Sequence, residues 1–389
     1  MKVLMNAVSA KMGGAANYIR NIASELEKVA PKDDFIIVVP SNQAKEIKRT
    51  ASNIRFITTH STGFLGRVWF DQVTLRRMLR NERVDVLYST ANLGMFSCPC
   101  PQVVLVRNSL YFSPLFLQHI LARMGLWARW TNWLRRWLVC RSVEWADAVV
   151  TPSESMLQEL KDYVSQSASK FHVIPYGTML ERFQQKDSCV TDRQAGAIRL
   201  LHISHYADHK NIGVLFESLE ELWASGMTNV SLSTTADVED ARYVISYCRA
   251  NDRALLCKPS ISEHVRVLGD VPYERVAQVY REHDIFVFPS LAESYGHPLV
   301  EAMASGLPVV AADLAYAREV CGDAALYFDP FSARDLARQI SRLVDDQQLM
   351  MELKQRGRRR VRQMDWSSHV GRLLQLLNGY AQEGKRRQC

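Results

Sequence analysis

Short apolar runs recur along this chain, each followed by a polar turn and then by a stretch with helical spacing. Residues 3–8 form the first run. The polar segment Ser9-Ala10-Lys11-Met12-Gly13-Gly14 follows, and residues 16–29 then carry apolar positions at a helical period. Residues 35–39 (ended by Pro40), 54–57, 84–88, 103–106, 148–150 and 171–174 continue the series. Strands covered on both faces of a parallel sheet read as continuous apolar runs, and strand–helix–strand repetition predicts a doubly wound α/β domain. The series restarts after Pro175-Tyr176-Gly177. Its strands are residues 198–203, 230–233, 265–268, 285–288 and 308–311, with helices over 273–282 and 333–343. Two α/β domains in tandem are expected. The linker is placed in the polar stretch 165–197, which includes Gln184-Gln185-Lys186-Asp187-Ser188. Residues 384–389 read as a frayed basic tail.

The totals narrow the function classes. A chain of 389 residues suits two domains, and 47% hydrophobic with 23% charged residues is ordinary globular composition. No segment approaches twenty uninterrupted apolar residues, so no membrane-spanning helix is expected. The N-terminus turns polar too soon for a signal peptide. A net charge of +7 draws phosphate-bearing partners, whether nucleic acid, anionic lipid or sugar nucleotides. Of the eight cysteines, Cys98 and Cys100 are close but have no second pair nearby. Reduced cytosolic thiols are expected rather than a zinc site.

The most informative stretch is 288–308. An apolar strand ends at Phe288, a polar loop follows, and Gly296 permits close backbone approach. Pro298 fits the first turn of a helix and Gly306 its stop. This arrangement predicts N–H groups of about residues 297–299 at a helix N-terminus beyond the carboxyl end of a strand, a position suited to phosphate. Glu293 in the loop and Glu301 one turn into the helix bracket it. A carboxylate accepts hydrogen bonds from both hydroxyls of a ribose or hexose. Alone, the same spacing also describes an ordinary helix start with favourable acidic residues.

In full, the stretch resembles the donor-binding motif of retaining glycosyltransferases of family 4. Its features are Glu293, the aromatic–glycine pair Tyr295-Gly296, Glu301 and Ser305-Gly306-Leu307-Pro308-Val309. The resemblance implies the GT-B fold: α/β, two Rossmann-like domains with parallel sheets facing a central cleft. It extends over nearly the whole chain. Gly13-Gly14 stands at the family's glycine-rich loop. Residues 146–155 resemble the last strand and loop of its first domain, 171–178 its crossover, and Gly269-Asp270-Val271 the strand end whose backbone meets the nucleobase. Asp365-Trp366-Ser367 resembles the return of the C-terminus onto the first domain. The implied division is an acceptor-binding domain 1–175, with helix 366–389 packed back on it, and a donor-binding domain 176–365.

Carried over residue by residue, the donor would meet Gly14, His205, Lys210, Val271, Glu293, Ser294, Tyr295, Gly296, His297, Pro298, Leu299 and Glu301. Within this set Glu293 orients the sugar, Glu301 the ribose, and Lys210 the diphosphate. The sequence departs from the family pattern at several points. Tyr295 stands where Phe is usual and His297 where an apolar residue is frequent. His205 stands where Arg is usual and Ser204 where Gly is. In the first domain Arg107-Asn108 replaces a frequent histidine. Asn108 offers an amide to a sugar hydroxyl, as a catalytic candidate, and Arg107 a charge to an anionic acceptor; either residue also fits a capping role.

The resemblance implies hexose transfer from a nucleotide sugar to a glycan or lipid-linked acceptor, with retention and without a metal or other cofactor. It also suggests a cytoplasmic setting in envelope polysaccharide or glycolipid synthesis. In the segment 126–138, Trp127, Trp130, Trp133, Leu134 and Trp137 share one helical face and Arg129, Arg135 and Arg136 the other. That pattern fits either a peripheral anionic membrane contact or a core face with arginines in water. The run 354–360 adds to a basic patch or forms a solvated face. Three alternatives remain at this point. Basic charge suits a nucleic-acid-binding protein, but no binding module accompanies it and no nucleic-acid partner is expected. Another GT-B reaction, epimerisation or phosphorolysis, fits the fold but not the Glu293–Glu301 context. A catalytically weak homologue acting as a binding partner fits the His205 substitution.

Overall fold

The structure, a computed structural model, describes residues 1–10, 13–41, 52–59, 63–184, 196–240 and 247–388. It contains two compact units, each built on one parallel sheet. The first sheet holds β1 (Lys2–Asn6), β2 (Asp34–Pro40), β3 (Ile54–Thr59), β4 (Val86–Ser89), β5 (Gln102–Leu105), β6 (Ala148–Thr151) and β7 (Phe171–Val173), in the order β3-β2-β1-β4-β5-β6-β7. The second holds β8 (Ile198–His202), β9 (Val230–Thr234), β10 (Val265–Val267), β11 (Ile285–Phe288), β12 (Val309–Ala312) and β13 (Ala325–Phe328), in the order β10-β9-β8-β11-β12-β13. Most of the apolar runs are buried, while strands β3, β7 and β10 are only partly so. Leu4, Ile36 and Leu87 pack with Phe70, Leu75 and Leu79, while Val104 and Val149 pack with Val139, Val143 and Met156. In the second unit, Leu200, Leu232, Val287 and Val310 pack with Leu215, Leu219 and Ile340.

Strand β13 lies outside the twelve apolar runs that the sequence pattern marks. It is short and pairs with β12 in the register Val310↔Leu326. Residues 185–195, where most of the expected linker signal falls, lie outside the described residues, as do Lys11, Met12 and Cys389. The basic tail is not frayed: helix Trp366–Gln388 runs through it, and Lys385 pairs with Asp85 at 3.0 Å. Nor is run 354–360 wholly solvated. Arg360 donates to the carbonyls of Val320 (2.5 Å) and Glu319 (2.6 Å), satisfying the end of helix Ala315–Cys321.

The first unit comprises Met1–Phe112, Trp130–Gly177 and Trp366–Cys389. The segment Ser113–Arg129 groups instead with the second unit, beside Thr178–Asp365. Its anchors there are rings: His119 lies 4.9 Å from Phe331, and the Arg123 guanidinium lies 5.2 Å from the Tyr247 ring. The C-terminal helix joins the first unit through a buried polar chain. His369 Nδ1 donates to the Pro175 carbonyl at 2.8 Å, which leaves Nε2 to accept from Tyr18 Oη at 3.1 Å; Tyr18 Oη lies 2.8 Å from Tyr88 Oη. Burial pushes the His369 pKa down to about 4, so the ring is neutral.

Helix Leu126–Trp145 turns Val139, Ser142 and Val143 inward. Its tryptophans face outward: Trp127 is 74% exposed, Trp130 50%, Trp133 51% and Trp137 44%. The tryptophan stripe is therefore not a core face. Among the described residues, no helix is long and apolar enough to cross a membrane.

Candidate active site

In an open parallel sheet, ligands bind beyond the carboxyl ends of strands where the strand order reverses. In the second unit that point lies between β8 and β11. The loop after β8 leads into a short turn Asp208–Lys210, and the loop after β11 carries Glu293. Lys210 Nζ meets Glu293 Oε1 at 2.5 Å, and both side chains are largely buried. Backbone bonds join the two loops. Leu291 N–H donates to the His209 carbonyl at 2.7 Å, and Ser290 Oγ donates to the same oxygen at 3.2 Å. Tyr316 Oη donates to the Ser290 carbonyl at 2.5 Å. Asn211 takes the left-handed conformation (φ 54°) and donates to the Pro330 carbonyl at 2.8 Å. An asparagine tolerates that backbone better than most residues, which lets the chain turn sharply after Lys210.

Besides Glu293, Lys210 lies near two buried histidines. His202 is held near pKa 3 and His209 well below its ordinary value, first by burial, then by the Lys210 charge and by His205. His205 itself is exposed, its ring 6.3 Å from that of His209.

Gly296 adopts φ 90° and precedes helix His297–Ala304, with Pro298 in its first turn. Gly306, at φ 77°, ends the helix, and its N–H and that of Leu307 reach back to Met303 (3.1 Å) and Ala302 (3.0 Å) carbonyls. The helix start differs from expectation in one respect. Pro298 has no N–H, and the Leu299 N–H is already bonded to the Gly296 carbonyl at 3.0 Å. As placed here, neither residue offers an unbonded N–H. Ser294 is half-buried in that loop. Tyr295 is buried, its ring 5.5 Å from His297, and fills the place of a phenylalanine.

Glu301 is fixed by Tyr280, a residue the sequence reading misses. Tyr280 Oη donates to Glu301 Oε2 at 2.9 Å and approaches the Pro298 carbonyl at 3.2 Å. Burial pushes the Glu301 carboxyl up to about 7, against the Tyr280 bond and the Arg182 charge, which lower it. One carboxylate oxygen is thus held by Tyr280.

The remaining candidates are placed elsewhere. Val271 lines a cavity of about 590 Å³ with Leu268, Asp270 and Pro272, and its walls include none of Lys210, Glu293 or Glu301. Gly14 is exposed in the first turn of helix Gly13–Val29 rather than in a loop. Asn108 caps the turn Ser109–Tyr111: its Oδ1 accepts the Leu110 N–H at 3.2 Å. The cap occupies Oδ1. Arg107 lines a cavity of about 350 Å³ in the first unit.

Two parallel α/β units, the second carrying paired Lys and Glu side chains at its strand reversal, define a GT-B protein of the glycosyltransferase kind. Residues 12–182 match the family described as Glycosyltransferase Family 4, and residues 184–360 match Glycosyl transferases group 1. The chain belongs to glycosyltransferase family 4. It is 33% identical over 116 residues to O-antigen chain mannosyltransferase B of Escherichia coli, a match spanning 30% of each chain. It is 25% identical over 353 residues to MMP alpha-(1->4)-mannosyltransferase of Mycolicibacterium hassiacum, spanning 86% of this chain and 80% of that one. Among solved structures, sucrose-phosphate synthase from Thermosynechococcus elongatus superposes with a TM-score of 0.78 at 17% identity, over 97% of this chain and 98% of that one. Anabaena HepE, in complex with UDP and glucose, gives 0.72 at 17% identity, over 97% and 99%.

Proposed function

We propose that the chain transfers a hexose from a nucleotide sugar to a glycan or lipid-linked acceptor, with retention at the anomeric carbon and without a metal. The observation that carries this reading is the Lys210–Glu293 pair at the strand reversal of the second sheet. Without donor, the two charges neutralise each other. A diphosphate competes for Lys210, and Glu293 is then released to accept hydrogen bonds from the sugar. Glu301, with one oxygen held by Tyr280, offers the other to the ribose hydroxyls. In the reaction the bond from the anomeric carbon to the β-phosphate oxygen breaks and a bond to the acceptor oxygen forms. The acceptor proton passes to the diphosphate or to water, and Lys210 stabilises the charge left on the leaving group.

The names of two relatives support the hexose, since both are mannosyltransferases, and the UDP and glucose bound by HepE support a nucleoside diphosphate donor. The O-antigen relative supports a role in envelope polysaccharide or glycolipid synthesis. The outward tryptophans, with exposed Arg129 on the same helix, support peripheral attachment to an anionic membrane surface.

Transfer and donor hydrolysis in the purified protein test the reading. Lys210→Met should lower kcat by about 10²–10³-fold, as expected for losing one charge-stabilising donor. A folded wild-type protein that neither transfers nor hydrolyses any nucleotide sugar would sink the reading and favour a binding role.

A further inference from the structure

The first sheet also has a reversal point, between β1 and β4, and a cavity of about 350 Å³ lies beyond it. Its walls come from the chain after β1 (Ser9), after β4 (Asn92) and after β5 (Arg107), and from two helices that contribute Arg67 and Arg135. That volume is in the range of small-molecule sites. Three guanidinium groups line it, and no carboxylate does.

Arg67 is built in rather than draped over the surface. It is 9% exposed. Its Nε donates to Asp71 Oδ2 at 2.5 Å, and Asp71 in turn accepts from Asn6 Nδ2 at 2.8 Å. Its Nη1 donates to Ser9 Oγ, and its Nη2 is buried with no hydrogen-bond partner among the described residues. A buried guanidinium N–H without an acceptor is costly unless a ligand supplies one. Arg107 is held by its backbone, whose N–H donates to Asn92 Oδ1 at 2.7 Å, and its side chain donates to the Tyr176 hydroxyl. Asp71 offsets one of the three positive charges. Among the described residues, no ion pair offsets the other two.

We infer that the acceptor is acidic, and that its phosphate or carboxylate sits in this cavity on Arg67, Arg107 and Arg135. The inference rests on the transferase reading and deepens it. Arg67 Nη2 gives a fixed, desolvated donor, Arg107 a second charge, and Arg135 an exposed one at the rim. Planar guanidinium groups match either anion. The acceptor hydroxyl is then selected by what it is attached to, so neutral sugars are poor acceptors.

Binding of inorganic phosphate, and separately of acetate, to the full chain tests this, with the donor site saturated by the nucleoside diphosphate that binds it. We expect one anion per chain, weakened about tenfold or more by Arg67→Met and several-fold by Arg135→Gln. Arg135 is exposed, so its variant keeps the test valid if Arg67→Met fails to fold. Lys210→Met should leave this binding unchanged, because Lys210 belongs to the donor site. Binding of phosphate alone assigns a phosphorylated acceptor, and binding of acetate alone a uronic-acid type. Binding of neither, or anion binding lost in Lys210→Met and untouched by the arginine variants, overturns the inference. If no nucleoside diphosphate binds either, the transferase reading itself has failed.

Discussion

Replacing Tyr280 by Phe removes one hydroxyl and leaves the ring packed against Phe183 and Phe286. The lost bond is the one from Tyr280 Oη to Glu301 Oε2, 2.9 Å long. Hydrogen bonds to charged groups contribute about 1.5–3 kcal/mol, which corresponds to about 1–2 pKa units. Glu301 sits near 7 with that bond in place and would move to about 8–9 without it. The donor needs the ionised carboxylate, because ribose hydroxyls donate. At pH 7.5 the ionised fraction would fall from about three quarters to between about a quarter and a few hundredths, so donor affinity should drop about 3–25-fold. At pH 9.5 both forms are largely ionised and the difference should shrink to less than about twofold. Titration calorimetry with the cognate nucleotide sugar at the two pH values reads this directly. A loss of affinity equal at both would mean that Tyr280 acts through packing and not through the Glu301 proton.

Two further outcomes follow from buried groups and exposed rings. The His369 pKa is held down to about 4, below its ordinary value of 6.5, so the unfolded chain takes up the proton first as pH falls. Its contribution to stability is present above pH 6.5 and is lost toward pH 4, about 2 kcal/mol of it between pH 7 and pH 5. Denaturant unfolding of His369→Gln should show a pH dependence shallower by that amount, and an unchanged slope would contradict the buried neutral assignment. Replacing Trp127, Trp130, Trp133 and Trp137 by Ser should weaken binding to vesicles of anionic phospholipid by at least about tenfold while leaving donor binding intact. Equal vesicle binding by both proteins would show that the tryptophan face is not the membrane contact.

What the sequence reveals depends on how local each signal is. Most of the twelve legible strands are buried apolar runs, although the partly buried strands β3, β7 and β10 are legible too; β13, Ala325–Phe328, is a further edge strand that the pattern does not mark. Glu293, Gly296, Pro298, Glu301 and Gly306 lie within one loop and one helix, so their spacing carries the geometry. Tyr280 stands 21 residues before Glu301 on another helix, and no local period links them. The same holds for Arg67 and Ser9, 58 residues apart, whereas Arg67 and Asp71 are an (i,i+4) pair. The missing N–H of Pro298 was readable from the residue type alone. The bond from Leu299 to Gly296 required coordinates. Helical spacing alone does not say which side of helix Leu126–Trp145 meets the sheet; the inward Val139 and Val143 decide it.

The central claim is a nucleotide-sugar site built on Lys210, Glu293 and Glu301. Its most direct test is a thermal-shift and calorimetric screen of the full chain against nucleoside diphosphates and their sugars, beside Glu301→Ala. A bound donor raises apparent stability by mass action. The account predicts saturable one-to-one binding to one base family, weakened about tenfold or more in the folded variant. Binding of equal strength in Glu301→Ala, or no binding of any nucleotide by the folded wild-type protein, would contradict it.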